Sequence, residues 1–286
     1  MINYSIDDLH LLTLNVGFAY HDGDWNFRNV RSPFARLYLV VEGNARIRLE
    51  SEWHDLTPGH LYFIPPFTNH SYFCDSPFSH YYIHIYENRE GGASILDELD
   101  FPVEADAHEY DLQLIKRLVY LNPFMKLPTP NPNVYDNHKT LVSNLELNLR
   151  RPFCDKVESR GILFTLFSRF LKQAHPKVEV SDSRIQQALS FIRKNIHCNP
   201  TLEQLATEAC MSKDHFIRIF RQETGETPRS YIIKRKMEGA ELLLVTTTMS
   251  VKQVAMRMGY DDCSYFNKTF KTFSGVTPAE YRMNHK

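Results

Sequence analysis

Two runs set fifty positions apart place charged and polar side chains between paired phenylalanines. FIRIFRQETGETPRSY spans 216–231, and FNKTFKTFSGVTPAEY spans 266–281. Residues four apart share a helix face, so Phe216 with Phe220, and Phe266 with Phe270, point inward together. Asp214, Ile217, Arg218 and Arg221 then point outward in the first run. Ser264, Asn267, Lys268 and Lys271 do so in the second. Arg, Lys, Asn and Ser can hydrogen-bond base edges or grip phosphates, so the chemistry on offer is nucleic-acid recognition, beside the plainer reading of a structural helical pair with a solvated face. A second constellation lies near the front. SHYYIHIY (79–86) alternates, which puts His80, Tyr82 and His84 on one strand face, able to hydrogen-bond a small molecule.

Elements that could position these groups are legible around them. Each Phe-xxx-Phe run is preceded by a capping box, Thr201-Leu202-Glu203-Gln204 and Ser250-Val251-Lys252-Gln253, and by a small residue, Ala206 or Ala255. A short turn follows (CMS or GYDD), so each copy reads as helix, tight turn, helix. A module present twice is a duplication and not a solenoid. The joining segment PRSYIIKRKMEGAELLLVTT reads as a helix about 30 Å long, close to the ~34 Å between successive major grooves on one face of B-DNA. The net charge of the 286-residue chain is only −1, but residues 182–286 hold 16 Lys and Arg against 11 Asp and Glu. The duplicated module therefore occupies the basic part.

Residues 10–87 alternate as short strands, broken at EGN, at Pro58-Gly59 and at Pro65-Pro66. Such spacing predicts a small β-barrel or sandwich. From 106 to 175 the apolar period becomes helical, interrupted by the four-proline stretch NPFMKLPTPNPN (122–133). The fold class expected is α+β in two domains: a β-barrel over 1–105 with a helical dimerisation segment over 106–175, a linker at 176–183 and an all-α domain over 184–286. GILFTLFSRFL (161–171) is apolar over much of its circumference, more than its own core needs, which predicts a homodimer through 106–175. The start lacks a basic region before its apolar part, no run of about 18 apolar residues occurs, and five cysteines lie scattered outside any metal-like spacing. The expectation is a soluble cytoplasmic protein without cofactor or metal.

Residues 184–286 resemble the DNA-binding domain of the AraC/XylS family of bacterial transcription regulators. The resemblance rests on LEQLATEACMSKDHFIRIFRQETGETPRSYI and VKQVAMRMGYDDCSYFNKTFKTFSGVTPAEYR. It implies that Lys213, Asp214, Ile217, Arg218 and Arg221 contact double-stranded DNA from the first recognition helix. Cys263, Ser264, Asn267, Lys268 and Lys271 would do so from the second. Acidic Asp214 and apolar Ile217 depart from the common pattern and suit a cytosine or a thymine methyl, or little reading at all. Cys263 stands where a polar side chain is common.

Residues 30–88 look like the cupin-type sensor that often precedes this domain, on L-V-V-E-G and L-T-P-G-H-L-Y-F-I-P-P-F-T-N-H-S-Y. By that resemblance Glu42, Tyr72 and His84 fall near pocket positions, with His80 and Tyr82 beside His84. The expected effector is a small polar molecule such as a sugar. Glu42 replaces the basic residue of sugar-binding relatives and disfavours an acidic ligand. The implied partners are DNA, the effector, a second copy of the chain and RNA polymerase. Two alternatives stand beside this reading. A metal-dependent cupin enzyme resembles its relatives in a His-x-His pair that ARIRLESEWHD lacks, although His70, His80 and His84 could approach each other. A scaffold would need both outward faces to lack affinity for DNA.

Overall fold

The computed structural model describes Ile6 and residues 9–87, 94–132, 138–177 and 180–284. It separates into two compact units. One comprises Leu9–Asn88 with Leu99–His175. The other comprises Pro176–Asn284 with Met1–Asp8 and Arg89–Glu98; of the last two stretches, Ile6 and Ser94–Glu98 are described. Val178 and Glu179 of the expected linker lie outside the described residues.

The first unit is a double sheet of antiparallel strands. One sheet has the order β1 (Leu11–Asp22), β8 (Pro77–Glu87), β3 (Ala35–Gly43), β6 (His60–Ile64) and β9 (Glu104–Asp106). The other runs β2 (Phe27–Val30), β7 (His70–Phe73), β4 (Ala45–Leu49) and β5 (Glu52–Leu56). Trp25, Tyr38, Ile47, Tyr62, Tyr72 and Phe78 fill one buried cluster of this unit. Helix α2 (Asp111–Leu121) packs against α4 (Phe153–Leu171), and both touch β1; α3 (His138–Arg150) also touches β1. Phe63 on β6 meets Phe167 and Phe170 of α4, with ring centroids 5.6 and 5.3 Å apart. Both faces of the five-stranded sheet are therefore covered. That is why β8 is buried almost throughout, although its sequence alternates.

This packing corrects the basis of the dimer expectation. Ile162, Leu163, Leu166, Phe167 and Phe170 are all buried within their own unit, so the apolar circumference of α4 serves its own core. A bidentate ion pair locks it in place: Arg169 Nε and Nη2 lie 3.2 and 3.0 Å from the carboxylate of fully buried Asp111 on α2.

In the second unit, α5 (Ser183–Lys194) is followed by a 3-10 turn at Ile196–Cys198, α6 (Leu202–Glu208), α7 (Lys213–Thr224), α8 (Pro228–Thr246), α9 (Val251–Arg257), α10 (Cys263–Ser274) and α11 (Pro278–Asn284). Both capping boxes form, Thr201 with Gln204 and Ser250 with Gln253. The two Phe-bearing helices, α7 and α10, both end at a left-handed glycine, Gly225 (φ 78°) and Gly275 (φ 84°), a conformation costly for other residues. Pro228 and Pro278 then open α8 and α11 at the position where a missing N–H is harmless. The aromatic stacks repeat as well. Phe220 meets Tyr231 edge-on at 5.8 Å, and Phe270 meets Tyr281 edge-on at 5.5 Å. A short helix α1 (Ile95–Glu98), encoded between two strands of the first unit, belongs here. Ile95 and Leu96 are buried, Glu98 pairs with Arg193 at 2.9 Å, and Lys177 donates to the carbonyls of Leu96 and Glu98.

Candidate nucleic-acid interface and effector cavity

The phenylalanines take the interior of α7 and α10: Phe216, Phe220, Phe266 and Phe270 are fully buried. Their neighbours are thereby turned out. Lys213, Asp214, Arg218 and Arg221 are exposed on α7, while Ile217 is half-buried against the core. Ser264, Lys268 and Lys271 are exposed on α10, with Cys263 and Asn267 half-buried beside them. The Asn267 carboxamide oxygen has no hydrogen-bond partner among the described residues.

Electrostatics separate the two helices. Lys213 Nζ sits 2.5 Å from Glu203 Oε1, so its charge is largely answered within the chain, and that hydrogen bond holds the Glu203 carboxyl below its usual range. Arg218 Nη2 lies 3.0 Å from His215 Nδ1. Ser212 makes no side-chain cap, whereas Asp262 accepts from the backbone N–H of Ser264 and Tyr265 and fixes the start of α10. Exposed cations over two helix faces can track phosphates, and Arg218, Asn267 and Ser264 can reach base edges.

The first unit holds a cavity of about 250 Å³ walled by Phe18, His21, Trp25, Tyr38, His80 and Tyr82, with His84 and Leu127–Pro130 completing it. Its inner wall exists because β1 carries Gly17 opposite Tyr82. A Cβ at Gly17 would stand 2.3 Å from the Tyr82 hydroxyl. That hydroxyl accepts the backbone N–H of Leu127 at 2.8 Å and so ties the proline-rich loop to β8. His21 stacks on His80 (5.4 Å) and on Trp25 (5.1 Å). Burial pushes the pKa of His21, His80 and His84 down, aided by His21 at His80 and by Arg36 at His84. All three imidazoles are therefore neutral near pH 7, and no charged side chain lines the wall. His21 Nδ1 lies 3.4 Å from the exposed Asp24 carboxylate, whereas His80 Nδ1 and His21 Nε2 are buried without a hydrogen-bond partner among the described residues. Such atoms are costly unless something satisfies them.

Of the pocket residues expected from the sequence, His80, Tyr82 and His84 come together here. Tyr72 stands one ring behind: it stacks on Trp25 at 4.1 Å, and its hydroxyl bonds Tyr38 (2.7 Å) and His70 (2.8 Å). Glu42 is not brought to the cavity. The β3–β8 register shifts between Val40 and Glu42, which breaks the alternation that would carry Glu42 inward and leaves it exposed. His21 and Trp25 were missed, since only strand pairing brings HDGDW to the barrel mouth. Among the described residues no group of three His, Cys, Asp or Glu side chains is placed to share a metal ion, and no helix is long and apolar enough to cross a membrane.

Residues 15–89 match the family described as the AraC-like ligand binding domain, and residues 205–284 match a helix-turn-helix domain. Over 134 residues the chain is 32% identical to an uncharacterized HTH-type transcriptional regulator of Haemophilus influenzae, covering 47% of this chain and 40% of that one. It is 22% identical over 258 residues to the lactose operon transcription activator of Staphylococcus xylosus, covering 86% and 82% respectively. It is 31% identical over 109 residues to the arabinose operon regulatory protein of Escherichia coli, covering 38% and 36%. The chain thus spans less than half of the first and third of these relatives.

Proposed function

This chain belongs to the AraC family of transcription regulators, and from that premise we propose that it binds specific DNA through α7 and α10 and responds to a small uncharged polar effector in the barrel cavity. The observation that carries the reading is the pair of outward polar faces on α7 and α10, two copies of one frame joined through α8. At 19 residues, α8 spans about 28 Å, near the major-groove repeat. The expected division of labour follows from this: barrel and helices α2 to α4 as sensor, Pro176–Asn284 as reader. A sugar is the first effector class to test, because the Staphylococcus relative is an activator of a lactose operon and the cavity wall offers neutral donors and acceptors beside aromatic rings. Glu42, exposed outside the cavity, no longer argues against acidic ligands; the absence of a wall cation does. The protein is read as a cytoplasmic binding protein and not as an enzyme, with RNA polymerase as its partner at promoters.

A homodimer through 106–175 is still proposed, but on a different face of that segment from the one GILFTLFSRFL suggested. Leu149, Phe153 and Val157 are 76, 79 and 53% exposed, and one turn further lies Gly161, with open space around its missing side chain. A mid-helix glycine is unfavourable in isolation, and here it flattens an apolar stripe against which a second α4 could lie. Phe153→Glu should turn a sedimenting dimer into a monomer.

The central test uses the full chain. Fluorescence titration against a random double-stranded DNA pool, then selection, should yield a motif whose affinity falls steeply with salt. Salt-independent binding or an empty selection would sink the DNA reading. For the sensor, a thermal-shift panel of neutral monosaccharides should contain a stabilising member, worth about 2.7 kcal/mol at a hundredfold excess over Kd.

A further inference from the structure

The joint between the two readers turns on a buried ammonium. Lys236, midway along α8, is 2% exposed. Its Nζ donates to the Met258 carbonyl at 2.7 Å and to Asn199 Oδ1, and lies 5.2 Å from the centroid of the Tyr260 ring. Asn199 follows the 3-10 turn in the left-handed region (φ 50°, ψ 61°), and its Nδ2 donates to the Gly259 carbonyl. One side chain thus ties three pieces together: the turn that leads into the first helix-turn-helix, the connecting helix, and the turn inside the second helix-turn-helix. Burial lowers the pKa of Lys236 to about 8, so the charged form that makes these bonds still prevails at neutral pH.

Two glycines let this happen. A Cβ at Gly239 of α8 would press on Met258 Sδ at 3.1 Å, and one at Gly259 would stand 2.5 Å from the His197 carbonyl. Tyr260, covered by the ammonium, meets Tyr265 at a tilt and Phe266 edge-on, both of α10, at 5.9 and 5.4 Å. Any rotation of α10 must therefore shear the Lys236 bonds. The first turn differs: Cys210, which occupies the place of Gly259, is exposed.

We propose that Lys236 is the positioning residue that sets the phase between α7 and α10, and that it thereby selects the spacing between the two half-sites on DNA; this rests on both helices reading DNA. Adding one base pair between half-sites moves the second by about 3.4 Å and about a tenth of a turn. A fixed joint cannot follow that displacement. A loosened one can.

The experiment is selection of the full chain on random double-stranded DNA, scored for half-site bases and for spacing, beside a melting curve. The wild type should enrich one spacing, with neighbours one base pair away depleted about tenfold, as for one mismatched position. Lys236→Met should keep the same bases within each half-site while neighbouring spacings rise to within about twofold to threefold of the best. Asn199→Gly removes one acceptor and keeps the left-handed backbone, so it should relax spacing in the same direction, and it decides the matter if Lys236→Met does not melt cooperatively. Sharp spacing retained in the variants, even with affinity uniformly lowered, would overturn the role of Lys236, as would a wild type indifferent to spacing. A wild type that selects no motif would instead remove the DNA reading itself.

Discussion

The first and second helix-turn-helix units share a frame and differ in how they hold it. In both, a capping box opens the first helix, and the turn repeats the same bond: Met211 N–H to the Ala206 carbonyl (2.8 Å), and Tyr260 N–H to the Ala255 carbonyl (2.9 Å). Both use a left-handed residue inside that turn, yet the first places Cys210 there (φ 50°) and the second Gly259 (φ 75°). The first leaves Ser212 without a cap bond and engages Lys213 with Glu203. The second caps α10 with Asp262 and docks its turn on Lys236 and Asn199. Residues that build the frame recur because the packing admits few substitutes. Residues that read, or that set the reader's freedom, have diverged.

The equivalence of the frames is broken most severely at the aromatic stacks. Phe216→Ala and Phe266→Ala should each destabilise the chain by about 3–5 kcal/mol in urea unfolding, since both rings are fully buried. A gap of more than about 2 kcal/mol between them would show that one core tolerates a void that the other does not. Next in size is the reading itself. Arg218→Ala should lose about 1–3 kcal/mol of discrimination at one operator position, whereas Lys271→Ala should weaken all sequences alike and lower the salt slope by about one. Selections at two salt concentrations separate these, and the reverse pattern would mean that the helices lie differently in the groove. Asp262→Ala should cost about 1 kcal/mol and Ser212→Ala only a few tenths, because Asp262 alone makes cap bonds. The smallest effect is a gain. Cys210→Gly should raise stability by up to about 1 kcal/mol by relieving left-handed strain, and no gain would mean that the Cys210 side chain is held by something beyond its turn.

These contrasts mark how far one sequence can be read. Capping boxes and the Phe-xxx-Phe stripes depend on residues within a turn of each other, so pattern alone located them. Glu42 could not be placed, because one bulge between Val40 and Glu42 reverses an alternation that looks regular in L-V-V-E-G. GILFTLFSRFL was ambiguous for another reason: periodicity records how much of a helix is apolar, but not what covers it. His21, Trp25 and the loop at Leu127–Pro130 meet at the cavity only through pairings that span dozens of residues. The unpartnered imidazole nitrogens that mark the cavity are invisible until the rings are packed.

Helix α1 bears on how such a protein could be taken apart or recombined. A gene cut at residue 176 would leave Ile95 and Leu96 in the upstream product while Lys177 and Arg193, which hold their helix, depart with the downstream one. Neither product would be a finished module, and each would present a raw apolar surface to solvent. Exchanging readers between such regulators by simple fusion therefore carries a penalty, unless the few residues around Ile95 travel with the reader they were folded for.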